Sequence, residues 1–319
     1  MNASPITGVR SGVILNVAAS VLFAVMYVYT GLLSSLSGEQ IYGWRILLTI
    51  PCLTLLIIAT GEWQEVKAIW KRVLGETGFW AKRLLSSFLL GVQLWLFMWA
   101  PVNGHALDVS LGYFLLPLTA AVVGRFAFNE KLSGFQRAAC LIAGVGVINE
   151  LVSASQVSWP TFLVCLGYPL YFYLRRVIGT NNLGGLWFDL ALSLPVSLYF
   201  ITTSSDLLAT SSSPVYLVVL ILGLGGLSAC ALACSAMSAP KLNLALFGLL
   251  TYVEPVLLVF ASLILGETIK ASQWPTYIAI WLAICVLVVE GVLAVRRGPS
   301  TASDSVLVTP DAISSRPSC

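Results

Sequence analysis

Three ionisable side chains lie inside long apolar stretches of this sequence. Glu254 directly precedes Pro255 in one stretch, Arg45 follows Trp44 a few residues into another, and Asp189 lies in a third. An ion in lipid is costly unless it meets a partner or a water-filled cavity, so such residues mark functional sites. Because lipid disfavours the ionised form of a carboxyl, Glu254 and Asp189 are candidates for proton exchange. The structural alternative is a protonated Glu254 bonded to a neighbouring carbonyl.

Arg45 lies about 7 Å inside the expected hydrocarbon, at a helical rise of about 1.5 Å per residue. Two interpretations remain open for it. The guanidinium could reach outward to the membrane surface, or it could face a wet cavity and present a cation to a bound anionic group.

Aromatic residues and a histidine form a second set of candidates. Trp95 and Trp99 share a helix face at i, i+4, which suits either packing or an aromatic wall around a ligand. His105 could shuttle a proton near neutral pH, although a lone loop histidine is more often structural. Tyr113 and Tyr252 precede prolines in two related stretches, and we count them with these residues.

The composition determines which elements must position these residues. Of 319 residues, 58% are hydrophobic and only 10% are charged, whereas a soluble protein has about a quarter charged residues. Lipid leaves no partner for a free backbone group, so the apolar runs must be helices and the fold class is an all-α integral membrane protein. We place ten transmembrane helices at 12–33, 41–61, 84–101, 109–128, 135–152, 158–174, 183–203, 214–236, 243–266 and 273–295.

A repeated pattern indicates that the chain is a duplication. Glu130 to Glu267 is the same offset as Gln136 to Gln273, and Pro117 and Pro255 each interrupt the apolar run before the repeated Glu. We therefore predict a first repeat at 1–152, a second at 153–297 and a disordered tail at 298–319. Because five spans cross the membrane an odd number of times, the two repeats must be inverted. Prolines at matching positions predict broken helices around a midplane site.

Charge and cysteine usage limit the possible partners. Lys and Arg concentrate in alternate loops, which predicts that both termini are cytoplasmic and leaves no basic patch for nucleic acid. The linker 61–83 has apolar residues at helical spacing with basic residues between them, as in a helix that lies on the membrane surface. The seven cysteines lack metal-site spacing, so we expect no metal and no cofactor. We expect membrane lipids and a small molecule as partners, and a homodimer remains open.

Enzyme motifs are missing as well: the chain has no H-E-x-x-H, no G-x-S-x-G and only one histidine. Inverted repeats provide two nearly equivalent packings, one open to each side of the membrane. We therefore expect a transporter rather than an enzyme or a scaffold.

The stretch around Asn103, His105 and 107–114 resembles the RarD-type permeases, the chloramphenicol-sensitivity proteins of the EamA branch of the drug/metabolite transporter superfamily. Their pattern there is N-x-H-x-L-E-A-S-L-G-Y-F, and this chain reads N-G-H-A-L-D-V-S-L-G-Y-F. Further similarity includes Arg45, the spacing of Asp189 and Pro195, and Gly266-Glu267 at the end of span nine. The resemblance implies a ten-helix inner-membrane secondary transporter that moves small metabolites or drugs, commonly outward.

Three positions depart from that family's pattern. Trp44 replaces a histidine, Leu116 replaces an asparagine, and Glu254 replaces a glycine. Gaining a carboxyl and an indole favours a zwitterionic or cationic substrate with an apolar part. Amino-acid-like metabolites, including opine-type metallophores, fit this description.

Overall fold

The computed structural model describes residues 5–128, 133–153, 158–203, 214–238, 241, 250 and 253–296. Within these ranges the secondary structure is helical. The helices are α1 (Pro5–Tyr29), α2 (Gly38–Ala59), α3 (Trp63–Gly75), α4 (Phe79–Val102), α5 (Ala106–Phe128), α6 (Gly134–Ser153), α7 (Trp159–Val177), α8 (Leu183–Thr203), α9 (Pro214–Ser238), α10 (Val253–Ile264) and α11 (Trp274–Arg296). Short 3-10 turns at Thr30–Leu33 and Ala271–Gln273 extend α1 and precede α11.

Within the described ranges, six helical stretches are long and apolar enough to cross a membrane. They are Ser11–Leu33, Gly38–Ala59, Phe79–Val102, Leu183–Thr203, Val215–Ser235 and Ala271–Glu290, and two shorter apolar stretches lie at Ala106–Ala120 and Val253–Ile264. The chain is therefore an all-helical, multi-pass membrane protein. Each of the ten predicted segments overlaps one of the helices. The count of ten spans itself remains a prediction.

The amphipathic linker helix predicted within 61–83 is present as α3. It buries Val66 and Ile69 and packs against α8, where Trp70 stacks on Phe188 at 6.3 Å between ring centroids. On its exposed side Arg72 forms an ion pair with Glu76 at 2.7 Å, and the hydrogen bond from Arg72 lowers the pKa of the Glu76 carboxyl.

Two glutamines that the sequence pattern singled out perform the same local task. Gln136 accepts a hydrogen bond from the backbone N–H of Ser133 at 3.0 Å, at the beginning of α6. Gln273 accepts one from the backbone N–H of Lys270 at 3.1 Å, just before α11. Both glutamines thus satisfy a free donor at a helix start, as in a capping box.

Helix packing repeats when the helices other than α3 are taken in chain order and shifted by five positions, so that α1 corresponds to α7, α2 to α8, α4 to α9, α5 to α10 and α6 to α11. The pairs α2–α8, α5–α10 and α6–α11 map onto themselves. The pair α5–α7 maps onto α10–α1, α1–α9 onto α7–α4, and α2–α9 onto α8–α4. Among the described residues, the α2–α4 contact lacks a counterpart of comparable extent.

The prolines behave differently from the predicted breaks. The α5 helix continues through Pro117, so the structure does not show a break there. Pro255 lies near the beginning of α10, and residues 251–252 before this helix are outside the described part of the chain.

Candidate functional site

A cavity of about 410 Å³ lies between α1, α2, α4, α5, α7, α8, α9 and α10. Its polar lining comes from Asn16, Ser20, Arg45, Thr49, Tyr113, Tyr168, Tyr171, Arg175, Ser228, Ser235 and Glu254. Most of the remaining lining is aliphatic or aromatic, including Phe23, Phe97 and Phe172. A largely apolar chamber with a few convergent polar groups is the usual form of a small-molecule site.

Arg45 faces this cavity, and its side chain is only 2% exposed. Its Nε donates to Ser228 Oγ at 3.2 Å, and its guanidinium lies 5.4 Å from the centroid of the Phe97 ring. Thr49, one turn further along α2, donates to the Arg45 carbonyl at 2.6 Å, and its Oγ1 lies within hydrogen-bond distance of Ser228 Oγ at 2.9 Å. Arg45 Nη1 is buried without a hydrogen-bond partner among the described residues.

Glu254 and Pro255 of α10 line the same cavity, together with Tyr113 of α5 and Tyr168 of α7. The Tyr113 and Tyr168 hydroxyl oxygens are 2.9 Å apart, so one of them donates to the other. The sequence-predicted residues Arg45, Tyr113, Glu254 and Pro255 therefore meet in one chamber, although they lie far apart in the chain.

Asp189 lies apart from this cavity lining, in a fully buried ion pair between α8 and α4. Arg83 Nη2 is 2.5 Å from its Oδ1, and Tyr171 donates to its Oδ2 at 3.0 Å. Tyr171 also accepts a hydrogen bond from Arg175 Nη1 at 2.8 Å. Asp189 is thus joined through Tyr171 to Arg175, which lines the cavity.

The surroundings of Asp189 reproduce those of Arg45. Ser193, one turn after Asp189, donates to its carbonyl at 2.9 Å and lies 3.3 Å from Ser87 of α4. In the same way, Thr49 follows Arg45 by one turn, donates to the Arg45 carbonyl and lies beside Ser228 of α9. A charged residue, a hydroxyl four residues later and a serine from the packed helix therefore occur twice, with opposite charges.

One end of the helix bundle is closed by direct contacts. Both carboxylate oxygens of Glu267 accept backbone N–H groups at 2.6 Å, from Ala106 and Leu107 at the beginning of α5. The Tyr27 hydroxyl donates to the Ala106 carbonyl at 3.2 Å. The cavity extends the other way, towards Arg175 near the end of α7.

An aromatic cluster lies at the closed end. His105 stacks on Trp99 at 5.3 Å between ring centroids, and Trp159 lies 5.3 Å from Trp99. Trp95 is 5.5 Å from Trp99, and His105 Nδ1 is hydrogen-bonded to Asp108 Oδ2 at 2.7 Å. The two tryptophans and the histidine singled out from the sequence therefore meet one another, outside the lining of the cavity.

The other sequence-predicted residues are distributed as follows. Trp95 lines a second cavity of about 390 Å³ between α2, α4 and α8. Trp44 is half-buried against the core, with its Nε1 unpartnered among the described residues. The structure describes the backbone of Pro117, which lies within α5, but not its side chain. Tyr252 lies outside the described residues.

Sequence reasoning did not find Tyr168, Ser228 or Thr49, because single hydroxyls in apolar helices are common. Arg83 and Arg175 were counted only among the Lys and Arg residues that concentrate in alternate loops. Both are buried, at 0% and 6% exposure. One feature of the sequence could have indicated that Arg83 is buried. It lies four residues before Ser87, so the two side chains share one helix face.

The chain is similar to curated proteins along nearly its whole length. It is 39% identical to the chloramphenicol-sensitive protein RarD of Pseudomonas aeruginosa over 274 residues, covering 86% of this chain and 92% of that protein. It is 35% identical to an uncharacterized transporter of Pasteurella multocida over 286 residues, covering 90% and 98%. Protein RarD of Escherichia coli is 26% identical over 293 residues, covering 90% and 97%.

A solved crystal structure also resembles this fold. It has a TM-score of 0.56 and 16% sequence identity, and the similarity covers 91% of this chain and 99% of the other. At that identity the likeness concerns the fold alone. No protein-family model matches the chain.

The apolar helices around a mostly apolar chamber with a few polar groups, together with relatives named as transporters, define a multi-pass membrane transporter of the permease class. Within that class, the chain belongs to the RarD family.

Proposed function

We propose that this permease exports a small zwitterionic or amphipathic metabolite across the bacterial inner membrane by alternating access, coupled to protons. The observation that carries the proposal is the meeting of Arg45 and Glu254 in one buried, mostly apolar cavity. A substrate with both charges and an apolar part would match these groups. Amino-acid-like metabolites, including opine-type metallophores, belong to this class.

Alternating access requires two related packings of one scaffold. Two inverted repeats of five helices, 1–152 and 153–297, are supported by the packing pairs that repeat after a shift of five helices. The two capping glutamines and the doubled arrangement around Arg45 and Asp189 support the same duplication. The closed end at Glu267 and the cavity that extends the other way fit one of the two states.

Glu254 is our first candidate for proton coupling because its carboxyl lines the cavity. Asp189 and His105 are the further candidates. Asp189 is held by Arg83, and His105 lies at the closed end beside Asp108. The arrangement favours Glu254, since a coupling proton must reach the chamber in which the substrate is held.

The topology follows from charge. With basic residues in alternate loops, both termini and α3 are placed in the cytoplasm and the Glu267 end faces outward. We propose membrane lipids and the transported small molecule as partners of the described helices, with a homodimer open to test.

Proton movement in vesicles tests the proposal without a known substrate. Purified protein is reconstituted with a pH-sensitive dye trapped inside, and amino acids and opine-type chelators are added one at a time. At least one compound should move protons in a protein-dependent way, and Glu254→Gln should abolish the signal. Glu62→Gln is the matched control, because Glu62 lies just before α3 and its side chain makes no capping hydrogen bond.

The outcomes separate the coupling from the transport. Flux of a compound without proton movement would indicate an uncoupled exchanger or facilitator of the same fold. An unchanged signal in Glu254→Gln would remove Glu254 from the coupling role. If no compound moves and no proton signal appears, the proposal of a proton-coupled exporter of this substrate class fails.

A further inference from the structure

The arrangement around Arg45 and the corresponding arrangement around Asp189 differ in one respect: within the described part of the chain, only the one around Asp189 contains an ion-paired counter-ion. In the second copy, Arg83 lies four residues before Ser87 on α4 and pairs with Asp189 at 2.5 Å. In the first copy, Leu224 holds the position four residues before Ser228 on α9. Glu254 lines the same cavity, but among the described residues it forms no ion pair with Arg45, so the Arg45 arrangement lacks the directly paired counter-ion that its counterpart has.

Arg45 is nevertheless buried and held in place. Thr49 and Ser228 bond to each other, and Ser228 accepts from Arg45 Nε, which fixes the guanidinium at the cavity wall. The described residues form no ion pair with Arg45, and its Nη1 lacks a hydrogen-bond partner among them. A buried charge without a partner is strongly unfavourable, so this site is suited to receive an anion from outside the protein.

The chemistry of the site restricts that anion. A guanidinium presents planar, paired N–H donors that match a carboxylate, and one cation balances one negative charge. A dianionic phosphate would leave an excess negative charge beside Glu254 in a mostly apolar chamber. The Phe97 ring against the guanidinium and the Tyr113–Tyr168 pair provide apolar and aromatic surface for the rest of the ligand.

We propose that Arg45 is the receptor for a single carboxylate of the ligand, that Ser228 and Thr49 are its positioning residues, and that the ligand carboxylate takes the place that Asp189 fills for Arg83. This inference deepens the proposed function, and its meaning for transport depends on that function. The binding itself can be measured without any flux.

The first experiment compares three probes that share an aromatic ring. Purified full-length protein is unfolded thermally in the presence of 3-phenylpropanoate, phenylalanine or 2-phenylethylamine. The two carboxylates should raise the unfolding temperature of the wild type, and the amine should not. Arg45→Gln should abolish the carboxylate effect, whereas Lys71→Gln, a change of an exposed cation on α3, should leave it intact.

The second experiment supplies the carboxylate from within the chain, so it does not depend on the choice of probe. Leu224→Glu places an acid at the position that corresponds to Arg83 in the second copy. The Leu224→Glu protein should keep a near wild-type unfolding temperature because the new carboxylate pairs with Arg45, and it should no longer respond to 3-phenylpropanoate. Leu224→Glu combined with Arg45→Gln should be clearly less stable than either single variant.

Three results would each overturn the inference. The first is stabilisation by the amine as strong as that by the carboxylates, and the second is carboxylate stabilisation that persists in Arg45→Gln. The third is an equal loss of stability from Leu224→Glu in the wild-type and Arg45→Gln backgrounds. Carboxylate binding without flux of any compound would leave this subsite standing and refute the proposed function alone.

Discussion

Replacing Glu267 by glutamine tests whether its carboxylate holds one end of the bundle closed. The two oxygens accept the N–H groups of Ala106 and Leu107 at 2.6 Å, at the start of α5 where the helix dipole favours a negative charge. A hydrogen bond to a charged group contributes about 1.5–3 kcal/mol. Glutamine keeps one acceptor oxygen and no charge, so the variant should lose about one such bond.

That loss sets the size of the expected effect. Since each 1.4 kcal/mol is a factor of about ten, the population with this end open should rise roughly 10- to 100-fold. Ser110 reports on the opening, because its side chain is fully buried just inside the closed end and lies 3.2 Å from Ser262 Oγ. A cysteine at position 110 should react slowly with an impermeant thiol reagent and much faster when Glu267→Gln is added.

The assay is labelling of Ser110→Cys protein in intact cells and in inverted membrane vesicles. The protein without this cysteine measures the reaction of the native cysteines, and Glu62→Gln in the Ser110→Cys background is the matched acid-to-amide control. Faster labelling should occur from the outside and only with Glu267→Gln. Equal labelling rates with and without Glu267→Gln would refute the assignment of this carboxylate as a closing contact.

Two further predictions concern stability, measured by thermal unfolding of the purified protein. Gly225→Ala should destabilise the protein by about 1–3 kcal/mol, because the added Cβ would lie 2.5 Å from Leu48 Cβ. Gly226→Ala is the control and should be nearly neutral, because there is open space around Gly226. Equal effects of the two changes would contradict close packing of α9 on α2. Asp189→Asn should lower the free energy of unfolding by about 3–5 kcal/mol, because it leaves the Arg83 charge unpaired. Replacing both Arg83 and Asp189 by leucine should recover most of this stability. A double variant as unstable as Asp189→Asn would contradict a buried ion pair.

The helices were largely predictable from the sequence, because lipid forces apolar runs into helices and because α3 shows its amphipathic pattern openly. The meeting of Arg45, Tyr113 and Glu254 was partly predictable, since ionisable residues at depth point to a shared cavity. The partner of Asp189 was not, because Arg83 lies 106 residues away and is one of many basic residues near helix ends.

Two other sequence features were ambiguous or incomplete for the same physical reason. Two indoles one turn apart do not reveal whether they face a cavity or each other, and here Trp95 and Trp99 join Trp159 and His105. Pro117 predicted a break, yet α5 remains helical through it. The spacing of residues in the sequence determines which of them lie on the same helix face, whereas the neighbouring helix determines what that face contacts.

Metabolite levels in living cells provide the most direct test of the central claim, that this permease exports a carboxylated metabolite bound at Arg45. Cells that overproduce the wild-type protein should release at least one such compound, and cells that lack the protein should retain it. Overproduced Arg45→Gln should fail to release it, while Lys71→Gln should behave as the wild type does. Identical metabolite levels in all four strains, with each protein present in the membrane, would contradict the account.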